Sequence, residues 1–510
     1  MSGVNGRRAG AVAAGHPATA EAAAEILAEG GNAFDAVVAG LLAACAAEPV
    51  LTSLGGGGFL LAQPASGPAR LFDFFAQTPR RRRARGALDF HPIEADFGTA
   101  RQEFHIGLGS AAVPGVVRGL FEIRRSQCRL PMRRLVEPAC TLAREGVRIN
   151  AMQAHAFGIV APIYRATPEA RAVFCDADGE VPGEGALLRQ PLLAEVLEFL
   201  ASEGDRAFYE GDIAELIARL CAEHGLLDRE ALASYRVILR EPLAVDYRGW
   251  RLLTNPPPAS GGLLVALGLR LAEAVTTDGA PDLETLVEVM AETETCRREG
   301  LATSSGLPAL DDVLIARHAR DIEGRLAARR GTTHLSVMDG DGNCAGLTAS
   351  NGEGCGHLIP DTGIMLNNML GEADLNPRGF HQWMPDTRLT SMMAPGLLVA
   401  PEGERVVLGS GGSNRIRTAL LQVISRLIDQ GLPLEAAVLH PRVHPEGGHL
   451  DIEGGFAPEE VERLLRHWPD HRLWPGSSLF FGGVHAVAQR GQGFEAAADP
   501  RREGAVRIVG

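Results

Sequence analysis

The sequence of 510 residues predicts a layered α/β fold. Helical periodicity dominates the stretch from about residue 115 to 325, whereas strand-turn-strand sequence begins at Thr332. Another strand pattern lies near residues 243–254, far from the others along the chain. Strands that come from distant parts of a chain and alternate with helices indicate a β-sheet body covered by helices. The length allows two or three domains or one large layered domain.

The N-terminal elements have clear local signals. Residues 19–46 are typical of two alanine-rich helices, and Gly30 and Gly31 are a natural end for the first one. Four glycines at 55–58 run into the apolar sequence FLLA, which predicts either backbone held close to another segment or a tight turn. Towards the C-terminus we expect helices after Gly412 and near 458–467, and a last strand around 479–488.

Composition excludes several classes of function. Forty-nine basic against 63 acidic residues give a net charge of −14, so neither nucleic acid nor an anionic membrane is an expected partner. The chain contains no lysine, which excludes a Schiff-base lysine, a Ser-Lys dyad and a Walker lysine. The eight cysteines form no C-x-x-C pair and are typical of buried thiols. The N-terminus lacks an apolar signal-peptide segment, so the expected location is cytoplasmic.

The most informative segment begins at Thr332. A tight hairpin centred on Gly340–Gly342 places Thr332 beside Ala349 or Ser350, so that two hydroxyls meet at the end of the strands. Threonine is also a common strand former, and the pattern alone does not assign it chemistry. The chain has no G-x-S-x-G, no H-E-x-x-H and no His/Cys cluster with the spacing of metal ligands.

Residues 15–40, GHPATAEAAAEILAEGGNAFDAVVAG, resemble the N-terminal signature of the γ-glutamyltranspeptidase family, which is part of the N-terminal-nucleophile hydrolase superfamily. The similarity extends from residue 10 to the end of the chain. It implies a four-layer αββα sandwich with a helical extension, and no metal or organic cofactor. Eight further matches follow in the order of the family: Gly55–Gly58, Val113–Gly115, Pro256–Gly262, Thr332–His334, Asp341–Asn343, Gly363–Asn368, Thr390–Met392 and Gly409–Gly412.

The resemblance implies that the chain is made as an inactive zymogen and cuts itself between Gly331 and Thr332. Residues 1–331 would form a large subunit and residues 332–510 a small one, joined as a heterodimer within one αββα domain; whether two such units pair further stays open. After cleavage, Thr332 carries a hydroxyl nucleophile and a free α-amine. An unperturbed α-amine has a pKa of about 7.7–8.0 and can therefore act as the base.

The resemblance also implies the remaining site residues. The Ser350 hydroxyl matches the one that bonds the nucleophile and assists maturation, and the N–H groups of Gly411 and Gly412 match the oxyanion hole. The other matches are substrate-binding side chains: Thr390 and Ser391 for an α-carboxylate, Glu372 with Asp374 as a near alternative for an α-amino group, and Asn351, shifted by one position.

Phe75 is the most consequential departure from the family pattern. Members that act on glutathione carry an arginine there, which clamps the α-carboxylate of the γ-glutamyl group, and phenylalanine makes no such bidentate contact. Loss of a charge-assisted contact costs about 1.5–3 kcal/mol of binding. Arg80–Arg83 are candidates to replace the missing charge, although such a cluster is usually a solvated loop. Met369 also replaces an expected glutamine.

Three hypotheses follow. The first is a γ-glutamyltransferase or hydrolase of glutathione metabolism, which passes a γ-glutamyl or related acyl group through a Thr332 ester to water or an amine. The second keeps Thr332 and changes the substrate, as an acylase-like amidohydrolase or a C–C bond hydrolase. The third is a non-catalytic binding protein with the same fold, which need not preserve autocleavage.

Overall fold

Two antiparallel β-sheets lie face to face at the centre of the protein, and helices cover the outer face of each. This is the four-layer αββα sandwich that the sequence predicted. Alternation along the strands assigns the faces: in the first strand Val12 and Ala14 pack towards one helical layer, and Ala11 and Ala13 towards the other sheet. The computed structural model describes residues 10–96, 101–276, 279–302, 332–376, 378–491 and 493–510.

The larger sheet has seven strands and combines chain from both sides of Thr332. Its spatial order is β20 (Ala505–Val509), β1 (Gly10–Ala14), β11 (Thr333–Asp339), β12 (Cys344–Ser350), β2 (Gly57–Gln63), β3 (Arg70–Phe74) and β8 (Ile238–Arg240).

The second sheet has six strands and also combines chain from both sides of Thr332. Its order is β19 (Gly493–Ala498), β18 (Gly483–Arg490), β14 (Arg405–Gly411), β13 (Gly396–Val399), β10 (Trp250–Thr254) and β9 (Leu243–Tyr247). The smaller pairings are β15 (Val443–Glu446) with β16 (His449–Ile452) and β17 (His471–Leu473), β4 (His91–Asp96) with β5 (Arg101–Ile106), and β6 (Val147–Arg148) with β7 (Leu187–Leu188).

The helices fall into three groups. Against the larger sheet lie α1 (Pro17–Ala28), α2 (Ala33–Ala47) and α3 (Val116–Gln127), while α4 (Met132–Glu145) packs on α2 and α8 (Pro191–Glu203) packs on α4. Against the second sheet lie α12 (Gly261–Val275), α14 (Arg415–Ile428) and α15 (Leu434–Leu439), while α13 (Leu283–Ala302) packs on α12 and α16 (Pro458–His467) packs on α13. The helical extension contains α5 (Ala151–Ile159), α6 (Ala161–Tyr164), α7 (Pro168–Phe174), α9 (Arg206–Tyr209), α10 (Asp212–Leu220) and α11 (Arg229–Ser234). In the part of the chain that the structure describes, no helix combines the length and apolarity needed to span a membrane.

The local predictions hold at the N-terminus. The two alanine-rich helices are α1 and α2, and the chain reverses at Gly30 with a φ of +92°. The side chain of Asn32 then caps α2 by accepting from the backbone N–H of Asp35. The glycine run is confirmed as a close approach, because Cβ atoms at residues 55–58 would lie only 2.3–2.6 Å from neighbouring backbone atoms.

The prediction for the C-terminal strands was partly wrong. The strand expected around 479–488 begins at Gly483, after a short 3₁₀ turn, and ends at Arg490. Two more strands follow it, and they close the outer edges of the two sheets. In the last strand the large apolar side chains of Val506 and Ile508 are the exposed ones, so hydrophobic alternation does not indicate which face is buried. The helical prediction for residues 303–325 lies outside the described residues.

Candidate active site

Thr332 precedes the first residue of β11 in the middle of the larger sheet. Thr333 pairs with Ala349 across the hairpin, so the predicted register is confirmed and Thr332 lies beside Ser350 at the strand ends. Both residues are buried, with 4% of each exposed. The Ser350 hydroxyl accepts a hydrogen bond of 2.9 Å from the Gly352 N–H. Gly331, the residue before the expected cleavage bond, lies outside the described residues.

Thr332 and Ser350 line one cavity of about 380 Å³, its open mouth included, which we call the Thr332 cavity. Its wall combines strand ends of the larger sheet, the loop that follows β12, and the start of α14. The polar lining residues are Thr332, Ser350, Glu372, Asp374, Ser391 and Ser413; Gly352 and the apolar residues Phe75, Met369, Leu375, Met392, Met393 and Ile416 complete it.

Four of the predicted side chains therefore face one cavity: Thr332, Ser350, Glu372 and Ser391. Asp374, the alternative to Glu372, lines it as well.

Two other predicted residues do not line the cavity. The half-buried Thr390 hydroxyl donates to the carbonyl of Pro258 at 2.9 Å. Asn351, which follows Ser350 in the chain, is buried, and its Oδ1 has no hydrogen-bond partner among the described residues.

Gly411 and Gly412 lie behind Thr332, at the end of β14. A Cβ atom on Gly411 would lie 2.1 Å from the carbonyl oxygen of Thr332, so the two backbones are in direct contact. Gly412 has a φ of +118°, and a Cβ there would lie 2.8 Å from the Cα of Gly482. Only glycine combines this conformation with this closeness, which explains the glycine pair on physical grounds.

Two buried charged residues that the sequence did not reveal flank the start of β11. The fully buried carboxyl of Glu48 accepts hydrogen bonds from the hydroxyls of Thr19 and Thr333, at 2.6 and 2.7 Å. Burial raises the pKa of Glu48 above its ordinary value. On the other side, Nη1 of Arg502 donates to the Thr332 carbonyl at 3.2 Å. Burial lowers the pKa of Arg502 to about 10. No local sequence signal distinguishes either residue, since each acts over a long separation in the chain.

Phe75 is part of the apolar wall of the Thr332 cavity. It is 1% exposed and stacks on Phe59, with ring centroids 5.3 Å apart. Among the described residues that line the cavity, none carries a positive charge, whereas two are carboxylic acids. Arg388 contacts Phe75 only through the backbone: its Nη1 donates to the Phe75 carbonyl, and its Nε lies 3.3 Å from a carboxylate oxygen of Asp73.

The arginine cluster does not replace the missing charge. Arg80 pairs with Asp386 and Glu230, and Arg82 and Arg83 donate to backbone carbonyls elsewhere on the surface. None of them lines the Thr332 cavity. The ordinary interpretation of the cluster, a solvated loop held by surface pairs, is therefore the one that fits.

Comparison with known proteins identifies relatives of two kinds. The sequence model of the family described as gamma-glutamyltranspeptidase matches residues 19–509. The glutathione hydrolase proenzyme of Escherichia coli K12 is 30% identical, over 89% of this chain and 84% of its own. The Acylase ACY 1 proenzyme of Pseudomonas sp. V22 is also 30% identical, over 94% of this chain and 89% of its own. The crystal structure of a cephalosporin acylase from Bacillus halodurans superposes with a TM-score of 0.82 at 23% identity, covering 99% of this chain and 97% of that one; this likeness concerns the fold.

Proposed function

The chain belongs to the γ-glutamyltranspeptidase family of transferases and hydrolases, and on that premise we propose that it is an autoprocessing amidohydrolase with Thr332 as its nucleophile. In maturation, the Thr332 hydroxyl attacks the carbonyl carbon of Gly331, the C–N bond to Thr332 breaks, and water hydrolyses the resulting ester. The products are the 1–331 and 332–510 subunits. Because strands from both subunits share both sheets, they remain associated as one unit.

Substrate cleavage then uses the freed α-amine of Thr332. The amine takes the hydroxyl proton as the oxygen attacks the amide carbonyl, and it passes that proton to the leaving amine as the C–N bond breaks. The N–H groups of Gly411 and Gly412 are proposed to stabilise the oxyanion, and the Ser350 hydroxyl to orient the nucleophile. Water or an amine then attacks the Thr332 ester and restores the enzyme.

The acyl group is proposed to lack the α-carboxylate of a γ-glutamyl group. The observation that carries this is Phe75, which fills the wall beside Thr332 where a cation would be needed, in a cavity that already holds Glu372 and Asp374. Among the described residues that line this cavity, an incoming carboxylate would meet two acids and no cation, whereas an apolar or amino-bearing acyl chain would meet apolar walls and acceptors. This favours the acylase-like activity of the second hypothesis.

A γ-glutamyl donor is the second candidate. Glu372 and Ser391 both line the Thr332 cavity, and they are the residues that the family pattern assigns to the amino and carboxylate groups of that donor. On this alternative, serine hydroxyls and backbone N–H groups would hold the α-carboxylate without an arginine.

Maturation is tested by the intact masses of the purified chain and of Thr332→Ala and Thr332→Ser variants. We expect two fragments, divided between residues 331 and 332, for the wild type and the serine variant, and one uncut chain for the alanine variant. A wild-type chain that stays whole would refute the proposal and favour a non-catalytic binding protein. Cleavage of Thr332→Ala would refute the assignment of the nucleophile.

The acyl preference is tested with four p-nitroanilides that differ in one group each: butyryl, 4-aminobutyryl, glutaryl and γ-glutamyl. We expect the first two to be hydrolysed with at least about tenfold higher kcat/KM than their carboxylate-bearing counterparts. In Phe75→Arg the ratio should fall by about 10–100-fold, since the new guanidinium provides the missing contact. A wild type that prefers the γ-glutamyl anilide would establish the second candidate instead.

A further inference from the structure

The turn between β14 and α14 contains a residue in an uncommon backbone conformation. The strand ends at Gly411, and the helix begins at Arg415. Between them, Gly412 has a φ of +118° and Ser413 a φ of +51°. A positive φ costs glycine little, but in any other residue it brings the Cβ atom against the carbonyl oxygen that follows. The backbone of Ser413 is therefore strained at a position where glycine would be relaxed.

Burial distinguishes Ser413 from the other residues in this conformation. Among the described residues, six other than glycine have a positive φ. Five of them are exposed or half-buried: Arg248, Asp361, His381, Asp386 and Glu503. Ser413 is the buried one, with 8% exposed. Because strained residues persist where the surrounding fold holds them, and because they cluster at functional sites, a buried one in the wall of a cavity points to a function of its side chain.

Ser413 lies close to the proposed nucleophile. It lines the Thr332 cavity, as Thr332 itself does. Gly411, two residues earlier, is in contact with the Thr332 backbone, since a Cβ on Gly411 would lie 2.1 Å from the Thr332 carbonyl oxygen. Two residues of chain span at most about 7 Å, which limits how far Ser413 is from that contact. Among the described residues, no hydrogen bond uses the Ser413 hydroxyl, so the fold does not need this group for its own stability.

We propose that Ser413 is a further catalytic residue, whose hydroxyl donates a hydrogen bond to the oxyanion that forms when Thr332 attacks the amide carbonyl. The proposal rests on the proposed function, which supplies that attack and the N–H groups of Gly411 and Gly412 as the other donors. The carbonyl oxygen gains negative charge as the bond from the Thr332 hydroxyl oxygen forms, and loses it when the C–N bond breaks and the carbonyl re-forms. The Ser413 hydroxyl keeps its proton throughout and acts only by stabilising this charge.

Removing the hydroxyl in two ways separates catalysis from folding. Ser413→Ala keeps the strained backbone, whereas Ser413→Gly relaxes it, and neither variant has a side-chain donor. We expect both to lower kcat for butyryl p-nitroanilide about 100-fold with KM nearly unchanged, as loss of one oxyanion donor does. The glycine variant should also unfold at a higher urea concentration than the wild type, although it is less active. A glycine variant with wild-type kcat would overturn the proposal, and so would a change confined to KM.

Two further comparisons control for side-chain shape and for the backbone. Ser413→Asn and Ser413→Asp have side chains of the same shape that tolerate a positive φ, but only asparagine has a donor at neutral pH. The kcat of the asparagine variant should exceed that of the aspartate variant at least about tenfold, and equal values would refute hydrogen-bond donation. Asp361→Gly is the matched control for the backbone, because Asp361 has a φ of +58° and does not line the Thr332 cavity. It should gain stability and keep the wild-type kcat.

The same measurements distinguish this proposal from the proposed function. All rates are expressed per cleaved enzyme, with the cleaved fraction taken from intact masses. A wild type that stays uncut, or that does not hydrolyse the anilide, would refute the proposed function and the role of Ser413 together. A cleaved and active wild type beside an equally active Ser413→Gly enzyme would refute the role of Ser413 alone.

Discussion

Replacing Gly411 by alanine tests whether contact between β14 and the nucleophile controls catalysis. The new Cβ would lie 2.1 Å from the Thr332 carbonyl oxygen and 3.2 Å from Nη1 of Arg502. An ordinary carbon–oxygen contact needs about 3.2 Å or more, so Thr332 and the strand must separate by roughly 1 Å. A misplacement of that size costs about 100-fold in rate. Overpacking of the buried backbone adds about 1–3 kcal/mol of lost stability.

The assay is kcat/KM for butyryl p-nitroanilide, measured together with the cleaved fraction by mass and the free energy of unfolding in urea. Gly396→Ala is the matched control, because this glycine lies in β13 of the same sheet and its Cβ would meet no atom closer than 3.4 Å. We expect Gly396→Ala to stay within about twofold of wild type, the effect of an ordinary substitution without a clash. A Gly411→Ala enzyme that is cleaved, stable and within threefold of wild-type activity would refute the reasoning from contact.

Three further predictions concern buried polar groups. Burial lowers the pKa of His16 from 6.5 to about 4, so the stability it contributes is complete above pH 6.5 and is lost as pH falls towards 4. His16→Asn keeps a good helix cap that does not titrate. Between pH 6.5 and 4 the unfolding free energy of the variant should therefore fall less than that of the wild type, by up to about 3 kcal/mol. Parallel pH curves of the two proteins in urea would contradict this. Asp499→Asn weakens the shared carboxylate of two buried arginines and should cost about 3–5 kcal/mol of stability, whereas a change below 1 kcal/mol in urea would argue against a paired cluster. Thr333→Val removes a hydrogen bond to Glu48, so it should lower the folding stability by about 1–3 kcal/mol and slow autocleavage. An unchanged melting curve and an unchanged cleavage rate would show that this hydroxyl is dispensable.

Local patterns were enough for the elements that carry the nucleophile. The helices α1 and α2 follow from alanine-rich periodicity with a glycine stop between them. The hairpin register follows from the turn at Gly340–Gly342, because a tight turn fixes which residues face each other. The pairing of the Thr332 and Ser350 positions could therefore be derived from a short stretch of sequence.

Contacts between distant segments could not be derived in this way. The hydrogen bond from Thr333 to Glu48 joins residues 285 positions apart, and that from Arg502 to Thr332 joins residues 170 apart. Each needs elements from distant parts of the chain to pack together before the partners meet, and neither Glu48 nor Arg502 belongs to a motif with a fixed spacing. The same reason hid the cavity lined by Trp474 and Phe480, whose wall is built from six separated parts of the chain.

The sequence by itself determined the family, the layered fold and the position of Thr332 at the start of a central strand, since motif order, periodicity and turn geometry are properties of the linear chain. Only the tertiary structure decided that Phe75 lines the Thr332 cavity, whose described lining carries no cation, and that Arg415 and Arg502 line a second cavity. Substrate specificity depends on which charged side chains line the cavity. That in turn depends on packing between segments that no local sequence pattern connects.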